Sequence, residues 1–104
     1  MGRTMTQVIK KFSVAGTSFR DATALLQRLQ PKHALTLRRE YKNKHDENAV
    51  AVYRHDKKLG YLPRGLAAKI AALLDFGVEI KCAKDTAALD CVCALSYDFD
   101  YGDA

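Results

Sequence analysis

A chain of 104 residues with 48% apolar side chains suits one hydrophobic core and leaves little room for a second domain. No stretch reaches the roughly 18–20 consecutive apolar residues of a membrane span, Met1 to Thr6 lacks the apolar run of a signal peptide, and three cysteines, an odd count, fit poorly with a secreted disulfide framework, so a soluble cytoplasmic protein is expected. The net charge of +5 divides unevenly, with 15 Lys/Arg against 5 Asp/Glu in residues 1–69 and 2 against 7 in residues 70–104, and such a basic front favours polyanions, nucleic acid first among them.

The first predicted element is a strand over Val8–Gly16, where Val8, Lys10, Phe12 and Val14 alternate with Ile9, Lys11, Ser13 and Ala15. Asp21 then offers a helix N-cap, and Leu25, Leu26 and Leu29 form an apolar stripe that Pro31 brings to an end. His33–Arg39 alternates as a second strand. The polar segment Glu40–Asn48 follows, with Asn43 and Asp46 as turn formers. Ala49–Tyr53 and Leu59–Leu62 are β-prone and should pair antiparallel across the polar connection His55–Lys58.

Pro63 suits a helix N-terminus, and Leu66, Ile70, Leu73 and Leu74 recur at helical spacing up to Gly77, a natural C-cap. Val78–Ala83 and Ala88–Leu95 form two last strands around Lys84–Thr86. Tyr97–Ala104 is an acidic, aromatic tail, free to be loose at its end. Cys91 and Cys93 alternate in an apolar run and, with Cys82, match no paired zinc pattern; packed free thiols are expected.

The order β, α, β, β, β, α, β, β lacks the alternation of a parallel sheet. It predicts a mainly β, α+β fold: a small bent antiparallel barrel with two helices, OB-like or SH3-like. One domain over 1–104 is expected, with its core at about 8–96 and the tail at 97–104. No phosphate loop, nucleophile elbow or metal-ligand spacing of His33, His45 or His55 is present, so neither catalysis nor a cofactor is expected.

Three segments carry a resemblance: Phe12-Ser13-Val14-Ala15-Gly16, the run from Leu37-Arg38-Arg39-Glu40 through Asn43, Asp46 and Asn48 to Val52, and Leu59-Gly60-Tyr61-Leu62-Pro63-Arg64. In order and spacing they resemble the HIRAN family, over about residues 8–80. The resemblance implies a modified OB-like barrel that binds single-stranded DNA at its 3′ end, as in fork-remodelling ATPases and small stand-alone proteins. It implies DNA as partner, with a helicase or nuclease alongside, in repair, replication or mobile-element biology.

Carried over from the family, Asp46 matches the end-binding acid; a carboxylate accepts hydrogen bonds only and so suits a terminal 3′-hydroxyl. His45 replaces a neighbouring aromatic, Phe19 matches a stacking position, and Arg20 stands where some relatives carry an aromatic. Tyr61 and Arg64 match positions that touch the DNA backbone, with Lys42, Asn43 and Lys44 as added phosphate contacts. Asn48 is read as structural, its amide tying down the loop before a strand. The alternative is a protein-interaction module, or an accessory subunit of a nuclease or helicase, that keeps the fold without binding DNA ends.

Overall fold

The chain forms β1 (Arg3–Ser13), α1 (Arg20–Arg28), β2 (Ala34–Arg39), β3 (Val50–Arg54), β4 (Lys57–Tyr61), α2 (Arg64–Asp75), β5 (Lys81–Lys84) and β6 (Val92–Tyr101). These elements come from a computed structural model that describes residues 3–16, 20–31, 33–85 and 92–101, the side chains of Arg20, Asp21 and Tyr101 excepted. The six strands make one antiparallel sheet in the order β1-β6-β5-β2-β3-β4. The sheet is not closed into a barrel. The edges β1 and β4 meet, among the described residues, at one bridge, where Ala15 and Tyr61 exchange two 2.8 Å backbone hydrogen bonds. Ala15, two residues beyond the end of β1, makes that bridge.

One core gathers on the inner face. Leu26 of α1, Ile70 of α2 and Val50, Val52, Leu59, Cys93 and Leu95 of the strands are fully buried. At roughly 1.5–3 kcal/mol for each fully buried aliphatic side chain, this cluster is what drives the fold. Cys82 and Cys93 pack in it as free thiols, and hydrogen bonding to Cys93 together with burial pushes the Cys82 thiol up. Cys91 lies outside the described residues. Lys84 is also buried, and its Nζ donates at 2.9 Å to the carbonyl of Gln27 at the end of α1. That position suits a cation, because the last carbonyls of a helix lack partners and carry partial negative charge.

Both helices depart a little from the sequence pattern. α1 begins at Arg20, so Asp21 sits in its first turn and is not the cap. α2 buries Ala67, Ile70 and Ala71 and half-buries Leu74, whereas Leu73 faces outward. The small alanines bring the helix close to the sheet, and the row they define, at i, i+3, i+4 and i+7, leaves Leu73 off it. Gly77 follows the cap residue Phe76 at a φ of 89°. Val78 N–H donates to the Leu73 carbonyl and Gly77 N–H to the Leu74 carbonyl, which is the Schellman ending that favours glycine there.

Three connections also differ. Lys57 and Lys58 belong to β4, leaving His55-Asp56 as the whole hairpin turn, with His55 at a φ of 54°. β5 starts at Lys81, later than expected. The acidic tail is no loose end as far as Tyr101, since β6 continues through it. Thr4 and Thr6 of β1 donate to Asp100 and Asp98 at 3.0 and 2.6 Å, and Lys81 pairs with Asp98. Residues Arg3–Gln7 and Tyr97–Tyr101 therefore project past β5 as a two-stranded arm.

Candidate nucleic-acid interface

The bridge between Ala15 and Tyr61 sets two strand ends side by side, and the loop from Glu40 to Ala49 folds over them. Between loop and strands lies a cleft of about 320 Å³, lined by Ala15, Gly16, Asn43, His45, Asp46, Ala49, Tyr61, Leu62 and Arg64. Gly16 holds a φ of 65°, and a Cβ there would sit 3.4 Å from the Tyr61 ring. A side chain at this position would be strained and would also narrow the cleft.

The loop is shaped by side chains that substitute for backbone partners. Asn43 Oδ1 accepts the N–H groups of His45 and Asp46 at 2.9 and 3.1 Å, and Asp46 Oδ1 accepts the N–H of Asn48 at 2.9 Å. These are the local bonds that suit Asn and Asp to tight turns. The amide that ties the loop is therefore that of Asn43, not that of Asn48. With Oδ1 committed, the second oxygen of Asp46 lies 3.8 Å from Arg64 Nε, and the Arg64 guanidinium also donates to the His45 carbonyl. Asp46 is 21% exposed and Arg64 73%, so the acid sits in the cleft wall and the base at its mouth.

Behind this wall stands Glu40. Asn43 Nδ2 and the Tyr61 hydroxyl donate to its Oε1 at 3.0 and 2.8 Å, while Lys58 Nζ meets Oε2 at 2.5 Å and also donates to the Tyr61 hydroxyl at 3.1 Å. Burial opposes the charge of Glu40, but the bonds from Lys58, Asn43 and Tyr61 outweigh it and hold the carboxyl below its ordinary value. The bonds to Glu40 and Tyr61 push the Lys58 ammonium up. Arg39 secures the far end of the loop, donating to the carbonyls of Glu47 and Ala49 at 3.2 and 2.9 Å and pairing with Asp75 at 3.1 Å. Sequence reasoning picked out neither Glu40 nor Arg39 as a site residue, although both stand inside the quoted motif.

Five of the expected site residues, Asn43, His45, Asp46, Tyr61 and Arg64, thus share one cleft. Lys42 does not join them; it lines an adjoining hollow with Glu40, Tyr41 and Asn43. Phe19 and the Arg20 side chain lie outside the described residues. The N-terminus of α2 adjoins the cleft through Leu62 and Arg64. Its cap is Pro63, which supplies no side-chain hydrogen bond, and the first helical bond is donated by Ala67. The first-turn N–H groups therefore have no helical carbonyl to meet, the arrangement that receives anions at helix starts.

Known structures share this architecture. A protein from Lactobacillus plantarum is 26% identical, with a TM-score of 0.72 over 92% of this chain and 98% of that one. The HIRAN domain of human HLTF is 17% identical, with a TM-score of 0.65 over 89% of this chain and 78% of that one, a likeness of fold. No curated protein sequence matches. The HIRAN domain model matches residues 10–96, which takes in the loop, the cleft, the whole of β2 to β5 and parts of β1 and β6, and on that span the chain belongs to the HIRAN family, a family known for DNA binding.

Proposed function

We propose that the cleft binds single-stranded DNA and selects its 3′-hydroxyl end, without catalysis. The carrying observation is the second Asp46 oxygen, 3.8 Å from Arg64 Nε in a cleft beside a helix start that has no side-chain cap bond. On this reading Asp46 accepts the proton of the terminal hydroxyl, and Arg64 with the α2 N–H groups meets the neighbouring phosphate. A terminal phosphate in the same place would bring negative charge against the carboxylate, so selectivity comes from repulsion as much as from attraction. His45 offers a stacking surface at the rim, smaller than a phenyl or phenol ring. The setting that suits such a module is DNA repair, replication or mobile-element processing in the cytoplasm, beside a helicase or nuclease.

The test is fluorescence anisotropy with a short labelled strand ending in a 3′-hydroxyl or a 3′-phosphate. The protein should prefer the hydroxyl, and Asp46→Asn should remove the preference. Asparagine keeps an acceptor for the Asn48 N–H, so unfolding temperature should stay near that of the parent. Equal binding of both ends by the unaltered protein would refute end selection. The protein-interaction reading is favoured by a separate feature, the exposed Leu73, Phe76 and Val78 at the end of α2, with Phe76 90% exposed. That reading gains if no oligonucleotide binds.

A further inference from the structure

The face of β2, β3 and β4 that points away from the core carries its own pattern. Register places Thr36 opposite Tyr53, Arg38 opposite Ala51, Tyr53 opposite Lys58, and Ala51 opposite Tyr61. Partners across an antiparallel pair share a face, so Arg38, Tyr53, Lys58 and Tyr61 form one row of alternating cations and rings. The Arg38 guanidinium lies 4.2 Å over the Tyr53 ring, and Lys58 Nζ lies 6.0 Å from that ring and 5.1 Å from the Tyr61 ring. Tyr61 also lines the cleft, so the row begins where the cleft ends.

The two arginines at the end of β2 are used differently. Arg39 is committed to Asp75 and to two loop carbonyls. Arg38 is exposed and makes no ion pair among the described residues. Lys58 is neutralised by Glu40, which leaves Arg38 as the uncompensated charge of the row. With its guanidinium carbon 4.2 Å over the Tyr53 ring and its side chain exposed, Arg38 can still offer N–H donors to a ligand. A planar cation held in this way suits a base on its face and a phosphate on its edge.

We propose that this face is a second nucleic-acid subsite, in which the Arg38–Tyr53 pair receives nucleotides on the 5′ side of the one held in the cleft. The inference rests on the reading of the cleft as a nucleic-acid site. Charge and stacking together commit the face to a single strand, since a duplex keeps its bases inside and offers no exposed base face to the guanidinium. An acidic peptide would meet the charge but leave the aromatic row unused.

The test uses the whole chain and oligothymidylates of about two nucleotides, which fill the cleft alone, and of about twelve, a length within the site size of small single-strand-binding folds. Arg38→Gln should weaken the longer strand roughly tenfold, the scale of losing one stacked base, and leave the shorter one unchanged. Its salt slope on the longer strand should fall by about 0.7, one phosphate's share. Arg38→Lys should keep the salt slope yet still lose affinity, because lysine restores charge without a planar face. Arg38 is exposed, and an unchanged melting curve establishes that each variant is folded. If both strands bind the parent protein and Arg38→Gln alters neither, the subsite is refuted while the cleft stands. If neither strand binds the parent, both readings fall. A polyglutamate peptide losing affinity to the same degree would assign the face to acidic peptides and overturn the proposal.

Discussion

Replacing Glu40 with Gln should destabilise the fold by an amount that depends on pH in a defined direction. Three donors converge on the two Glu40 oxygens: Asn43 and Tyr61 on one, Lys58 on the other. A glutamine can keep its oxygen towards Asn43 and Tyr61, which turns its NH₂ group towards the Lys58 ammonium. The loss is then one charge-assisted bond, about 1.5–3 kcal/mol when shielded from water. Glu40 and Lys58 are 24% and 31% exposed, so water recovers part of this, and about 1.5 kcal/mol is expected. For a domain of this size that lowers the melting temperature by about 6–12 °C.

The sign with pH follows from the depressed pKa of Glu40. A carboxyl held below its ordinary 4.5 contributes stability that is full above that value and is lost as pH falls through the folded-state value. The gap between the parent and Glu40→Gln should therefore be widest near neutrality, narrow below pH 4.5, and close once the parent's Glu40 is protonated. Asp75 and Asp98 are also held low, by Arg39 with Tyr41 and by Lys81 with Thr6. Those groups are exposed and titrate in both proteins, so they cancel in the difference. Circular-dichroism melts at about pH 7 and about pH 3 provide the measurement, and Lys58→Met with the double variant closes a thermodynamic cycle. A gap that is the same at both pH values, or a coupling within about 0.3–0.5 kcal/mol of zero, would refute the assignment of Glu40 as the hub.

Arg39→Met should cost about 2 kcal/mol, because the nearly buried guanidinium satisfies the Glu47 and Ala49 carbonyls as well as Asp75; a urea midpoint equal to the parent's would contradict this. The same variant should speed amide exchange in the loop from Glu40 to Ala49. Gly16→Ala should cost about 1–2 kcal/mol for its positive φ and weaken oligonucleotide binding by crowding Tyr61. Calorimetry and anisotropy read the two effects separately, and parent-like values in both would show that the position is not constrained.

The strands and helices could be read because their apolar periods are long and their punctuation is local: Pro31 after α1, Pro63 before α2, and Gly77 beyond it. The cleft was partly readable, because Asn43, His45, Asp46, Tyr61 and Arg64 belong to motif segments whose spacing is fixed. What escaped was pairing across elements. Glu40 is a hub only because register sets β4 beside β3 and brings Lys58 and Tyr61 to it, and no local pattern reports that. Asn43 and Asn48 are equally plausible loop ties in one dimension, and the direction of the turn decides between them. The tail alternates Tyr97, Phe99 and Tyr101 with Asp98 and Asp100, a strand pattern that its acidity obscured; pairing with Thr4 and Thr6 gives those acids partners.

The hydrogen bonds form a chain from sheet to cleft. Lys58 and Tyr61 on β4 fix Glu40, Glu40 fixes the Asn43 amide, Asn43 holds the N–H groups of His45 and Asp46, and Asp46 holds that of Asn48. The Asp46 carboxylate is thus oriented before any ligand arrives, and the cost of ordering it falls on folding and not on binding. This separates two kinds of variant. Changes at Glu40 or Asn43 should lower stability and affinity together, because they loosen what holds the acid. Asp46→Asn should leave both nearly intact for a hydroxyl-ended strand and alter only the discrimination against phosphate. A variant series in which Asp46→Asn destabilised the fold as much as Glu40→Gln would place Asp46 among the structural residues, and the carboxylate would then have no claim on a DNA end.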